Sequence, residues 1–139
     1  MSKDYPWGKG TPAWVRDATA NDSDKSFTVP AGKVWRLISV FASMSTTATV
    51  GNRTLVVSIT DGTNIVYRSN AFGNQAASTT FLYNLFPESI SQLTTGVQFQ
   101  PIPGELLTAG YIIRVSDYAV IDAAADDLTV VLHYVEYDA

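Results

Sequence analysis

The chain of 139 residues has no cysteine, and its single histidine is His133. The first absence excludes disulfide frameworks, thiol nucleophiles and cysteine-based zinc sites. The second removes the histidine cluster that holds a metal in some eight-stranded barrels. Charged residues make up only 16% of the chain, where about a quarter is usual. No stretch approaches the roughly 18 apolar residues of a membrane helix. Met1 to Gly8 lacks the apolar run of a signal peptide. Phosphate-cradling glycine loops and the Gly-x-Ser-x-Gly elbow of many hydrolases are also missing.

What remains is 46% hydrophobic, in a chain long enough for one domain that buries about two-thirds of its unfolded surface. The formal net charge of −4 argues against non-specific nucleic-acid binding, which needs a basic footprint. The charge is unevenly spread. Residues 1–36 carry Lys3, Lys9, Arg16, Lys25, Lys33 and Arg36 against Asp4, Asp17, Asp22 and Asp24. Residues 117–139 carry Asp117, Asp122, Asp126, Asp127, Glu136 and Asp138 with no Lys or Arg. Ends of opposite sign favour chain-to-chain contacts.

Pro6, Gly8, Gly10 and Pro12 prevent a helix in residues 1–13 and weaken any strand. That stretch reads as an extended arm, with residues 14–139 as one domain. Tyr5, Pro6 and Trp7 are out of place in a solvated tail, where aromatics are scarce. With Trp14 they are the predicted anchors on a neighbouring subunit; the plainer alternative is an arm folded back on its own domain.

From there the pattern is of strands and turns. A short strand is predicted at 14–18, an extended piece at Ser26 to Val29, and the longest strand at Lys33 to Ser43, apolar on both faces. Pro30 and Gly32 turn the chain just before it. Gly51-Asn52 is predicted to supply positive-φ turn positions. Leu55, Val57 and Ile59 alternate inward, Asp61-Gly62 signals a hairpin, and Ile65 and Tyr67 are expected to continue the inward face. Residues 70–79 read as a loop, Thr80 to Phe86 as a strand, 88–95 as a polar connection and Gly96 to Gln100 as a short strand. Leu106 and Leu107 are placed as a plug at one end of the core. Tyr111, Ile113 and Val115 point inward on the next strand, and Leu128 to Tyr137 form the last. About eight ordinary strands with no amphipathic helix indicate a sandwich or barrel, and eight suit a jelly roll of two four-stranded sheets.

Chemistry is thinly represented. His133 shares its strand face with Thr129, Val131, Val135 and Tyr137 and reads as a packing or interface residue rather than a catalyst. Asp117, Asp122, Asp126 and Asp127 have the oxygens for a hard cation, but the stretch lacks the spacing and central glycine of a calcium loop. The plain reading is a solvated connection. Paired carboxylates also serve glycoside hydrolysis, yet the sequence places no aromatic-lined cleft beside them. Three Trp, seven Tyr and six Phe fill a sandwich core more readily than a sugar platform. Neither metal nor cofactor is expected, and no enzymatic activity.

Phe27-Thr28-Val29-Pro30-Ala31-Gly32-Lys33-Val34-Trp35-Arg36-Leu37, Ala48-Thr49-Val50-Gly51-Asn52-Arg53, Ile59-Thr60-Asp61-Gly62 and Gly110-Tyr111-Ile112-Ile113-Arg114-Val115-Ser116-Asp117 together resemble small virion proteins of tailed bacteriophages. The likeness spans roughly residues 27–137 and is to head decoration, or cement, proteins with jelly-roll folds. It implies an all-β jelly-roll sandwich of about eight antiparallel strands; the extended N-terminal arm lies outside the likeness and rests on the composition of residues 1–13. It implies many copies, made in the host cytoplasm, on the outer surface of the capsid. Binding across major capsid protein subunits is the expected role, with self-association as dimers or trimers because symmetric contacts multiply the points of attachment. Neither nucleic acid nor membrane is an expected partner. A different reading of the same fold is the carbohydrate- or receptor-binding tip of a tail fibre or spike.

Overall fold

A computed structural model describes residues 9–21, 24–119, 121 and 125–139. Tyr5, Pro6, Trp7 and Asp122 lie outside this set. Among the described residues eleven strands form two sheets. The larger sheet runs β1 (Thr11–Asn21), β11 (Asp127–Asp138), β3 (Lys33–Ser45), β6 (Thr80–Phe86), β8 (Val97–Pro101), β7 (Gln92–Thr94), with β9 (Leu106–Thr108) also on β3. The smaller sheet runs β2 (Lys25–Thr28), β10 (Ile112–Asp117), β4 (Leu55–Thr60), β5 (Ile65–Asn70).

Without β7, β8 and β9, the orders β1-β11-β3-β6 and β2-β10-β4-β5 remain. The chain alternates between sheets so that its first and last long strands lie side by side. This is the double Greek-key weave of a jelly roll, and the fold is an all-β sandwich of that kind. The expected count of about eight matches the size of this frame, although it included residues 96–100, which form β8 outside it. The other three strands come from residues 92–108, where β8 runs parallel to β6 and the supposed polar connection supplies β7.

The core follows from alternation. Leu37, Val40, Ala42 and Met44 of β3, Leu128, Val130 and Leu132 of β11, and Tyr83 and Leu85 of β6 face Leu55, Val57 and Ile59 of β4 and Ile113 and Val115 of β10. All of these side chains are fully or almost fully shielded from water. β3 is long because β11 flanks its whole length while its other side is shared by β9 at Val34–Arg36 and β6 at Val40–Ser45. Leu107 is buried at that end, as a plug should be.

Several expectations are corrected. β1 begins at Thr11, paired with Glu136, so residues 11–13 are strand and not arm. Ile65 is exposed rather than inward. Ile59 pairs with Tyr67 and Thr60 with Ile65, so Val66 is an extra residue, and this bulge turns Ile65 to the outer side with Thr60. Tyr67 stays inward, half-buried. Gly51 takes the positive φ of its turn (146°), but Asn52 does not. Asp117 and Asp126 are buried, so the acidic stretch is not simply solvated.

Candidate interaction surface

The inward faces of the strands fill the core, so what the chain offers to others is on the outward faces. On the larger sheet those positions are unusually apolar. Register places Val131 beside Phe41, Phe41 beside Asn84, and Asn84 beside Phe99 across β11, β3, β6 and β8. One row along, Leu82 of β6 sits between Ser43 and Val97. Phe41, Leu82 and Phe86 are each more than a third exposed. Phe86 meets Phe99 edge to face at 6.5 Å. With Ile90, 71% exposed, these two rings line a shallow cavity of about 310 Å³. Partly solvated aromatic and aliphatic groups in adjacent rows, with Asn84 and Ser43 between them, make a face rich in exposed apolar groups, the kind of surface that marks an interaction site.

At the β1 edge of this face stands Trp14. It pairs with His133 in register, and their rings stack at 3.7 Å with planes 5° apart. The indole is still 67% exposed, because His133 covers one ring face only. His133 is thereby held as a stacking partner, as its strand position indicated. Val135 and Tyr137 continue its face, but Tyr137 is buried. Gly10 lies so close that a Cβ there would collide with Val135 and Tyr137. The sequence placed Trp14 in contact with partners together with Tyr5, Pro6 and Trp7; Trp14 is an exposed ring on the sheet, and the other three lie outside the described residues.

Charge is mostly consumed internally. Arg53 and Asp126 form a buried pair: Arg53 Nε donates to Asp126 Oδ2 at 2.7 Å and Nη2 to Oδ1 at 3.1 Å. Arg53 Nη1 also donates to the carbonyls of Thr49 and Gly51. Burial pushes the Asp126 carboxyl upward, but donation from Arg53 and the Thr47 N–H outweighs it and leaves the pKa below the ordinary aspartate value. Asp117 Oδ1 accepts from the N–H groups of Thr54 and Ala119. Two of the four carboxylates considered for a cation therefore bind loops together. No cluster of metal-ligating residues occurs among the described residues. Lys33 bonds Asp138 at 2.6 Å and approaches Glu136 at 3.7 Å, tying the two ends of opposite sign within one molecule.

Sequence reasoning passed over two sets of buried polar residues. Lys25 is fully buried, and its ammonium donates to the Thr19 carbonyl and Asn21 Oδ1, which ties the start of β2 to the end of β1. Gln75, Gln98 and Gln100 are also fully buried. Gln98 bonds both N–H and C=O of Gly73, Gln100 reaches Ser69, and Gln75 donates to the Met44 carbonyl while accepting from the Tyr83 hydroxyl. Burial, followed by the nearby Asp117 charge, raises the Tyr83 pKa above the usual tyrosine range. Through these bonds Gln98 and Gln100 tie β8 to the end of β5 and the segment after it, and Gln75 ties that segment to β3 and β6. Gln98 and Gln100 alternate on one strand, which is the one signal the sequence contained.

Comparison with known proteins gives distant likenesses only. No family model matches the chain, and no curated protein matches it. Among solved structures it is similar to turnip yellow mosaic virus at 12% identity and a TM-score of 0.37, over 100% of this chain and 86% of that one. It is similar to desmodium yellow mottle tymovirus at 10% identity and a TM-score of 0.30, over 94% and 86%. It is also similar to dimeric latent PorU from Porphyromonas gingivalis at 11% identity and a TM-score of 0.37, over 95% of this chain but 11% of that one. Overlaps this loose carry no functional argument, and the architecture stands on the strand order itself.

Proposed function

We propose that this chain is a structural protein of a virion: a capsid decoration protein that sits across neighbouring major capsid protein subunits and stabilises the head. One observation carries the reading: the apolar outer face of the larger sheet, from the Trp14–His133 stack through Phe41 to Phe86 and Phe99. An isolated sandwich has no use for such a face in water, whereas a shell subunit buries it against its neighbours. A standard interface covers about 1,600 Å² in total, with aromatic anchors contributing most. Many copies on a lattice then reinforce one another. The sequence resemblance to phage decoration proteins and the jelly-roll weave support the same reading. In it the protein is no enzyme, self-associates as a dimer or trimer, and uses Tyr5, Pro6 and Trp7 together with Trp14 to grip neighbouring subunits.

The test is occupancy on purified capsids. Phe41→Glu with Phe99→Glu is expected to abolish binding while the far-UV spectrum of the free protein is kept. Removing residues 1–9, which leaves β1 intact, is expected to reduce occupancy. Wild-type occupancy in the double variant would reject the outer face as the docking surface.

The open ring of Trp14 favours a second reading, a carbohydrate-binding tip of a tail fibre or spike, because an exposed indole stacks on sugar. Binding to a glycan array that is lost in Trp14→Ala, together with a low copy number per particle, would replace the first reading with this one.

A further inference from the structure

A second concavity lies away from the outer face. It is a groove of about 380 Å³ between β4, β5 and the segment 103–111. Ile59 forms its floor; Val66, Tyr67, Leu106 and Tyr111 form its walls; Glu105 stands at its rim. Tyr67 is held in place by a 2.7 Å hydrogen bond from its hydroxyl to the Pro101 carbonyl, so the groove has a fixed wall. Aliphatic and aromatic side chains line it, but its exposed surface is as much polar as apolar, which suits one large ring with a polar edge, such as an indole. Glu105 is exposed and has no basic partner among the described residues. Among the described residues β5, which contributes Val66, pairs with β4 only, which leaves its other edge for an added strand. The site therefore asks for an extended segment with a large aromatic ring close to a cation.

The chain itself contains such a segment, Tyr5-Pro6-Trp7-Gly8-Lys9. Lys9 is exposed and has no acidic partner among the described residues. We infer that the groove receives Trp7 of a second copy, with Lys9 of that copy paired to Glu105. The same molecule is a poor donor. Its chain leaves the sheet at Thr11 on β1, while Leu106 on β9 lies beyond β11 and β3. Three strand spacings are about 14 Å. The four residues from Trp7 to Thr11 span at most about 14 Å fully extended, which leaves no length to turn into the groove. A contact between different patches on two copies is head-to-tail, and such contacts close into rings or run on along a lattice. This deepens the self-association within the proposed virion role and rests on that reading for its setting.

Sedimentation velocity of the full chain over a range of concentrations tests it. Association is expected to rise with concentration and to weaken by at least about tenfold in Trp7→Ala and in Glu105→Lys, the range of an interface anchor. Lys9→Glu combined with Glu105→Lys is expected to recover most of the loss suffered by either change alone. A chain that stays monomeric, association untouched by Trp7→Ala and Glu105→Lys, or no recovery in the charge-reversed pair each overturns the inference. Phe41→Glu with Phe99→Glu separates it from the capsid reading: that variant is expected to keep self-association while losing capsid binding.

Discussion

Arg53 and Asp126 are both fully shielded from water, and each is the other's charge partner. Neither residue looks special in the sequence, since one follows a turn and the other belongs to an acidic stretch. Their worth comes from position: the pair joins residues 47–53 to the segment before β11 at one end of the sandwich. Asp126→Asn is expected to cost roughly 3–5 kcal/mol, because it leaves the guanidinium buried without a counter-charge; urea denaturation measures it. Replacing both residues by apolar ones is expected to cost less than the two single changes added together. The acid limb follows from the same pair. Asp126 has a folded pKa below its unfolded one. Its stabilising share is thus complete above the unfolded value and disappears as pH falls through the folded value. Urea midpoints measured between about pH 5 and pH 2 should fall more steeply for the wild type than for Asp126→Asn.

At the level of elements, β10 holds the smaller sheet together, with β2 on one side and β4 on the other. Ile113 and Val115 point from it into the core and are fully buried. Ile113→Ala is expected to cost about 2–5 kcal/mol in chemical denaturation, from lost transfer energy plus an unfilled cavity. Arg114, between them, is exposed, and Arg114→Ala should stay within about 0.5 kcal/mol of wild type. Turns are equally specific. Gly51 has φ of 146°, and a Cβ there would come within 2.8 Å of Ile121. Gly51→Ala is therefore expected to destabilise by about 1–3 kcal/mol through strain and contact together. β4, β6 and β10 were legible because alternation with β-branched and aromatic residues continued unbroken between clear turn residues. β5 was misjudged in part because a one-residue bulge inverts which side faces inward, and nothing in Ile65-Val66-Tyr67 announces the extra residue.

For the molecule as a whole, the two faces of the larger sheet have different tasks. One closes the core; the other carries exposed aromatic and aliphatic groups such as Trp14, Phe41 and Phe86 that no second layer covers among the described residues. Phe41→Glu should therefore leave stability within about 0.5 kcal/mol of wild type in urea denaturation, as expected for a surface change. A loss of several kcal/mol there would mean that the outer face is structural rather than adhesive. The uneven charge of the two ends, read from the sequence as a reason for contact between chains, is met in part inside one chain: Lys33 pairs with Asp138, and Asp126 is taken by Arg53 from the middle of the sequence.

The sequence by itself determined the all-β class, most strand positions and the inward residues of β4 and β10. Alternation and turn chemistry act over a few neighbouring residues, and that information is local. Tertiary structure decided which strands pair, that β7, β8 and β9 widen one sheet, and that buried glutamines bond the segment after β5 to that sheet. It also decided that Trp14, Phe41 and Phe99 share one open face and that Glu105 stands over a groove. Each of these depends on residues far apart in the chain meeting across a register, and no local pattern encodes that meeting.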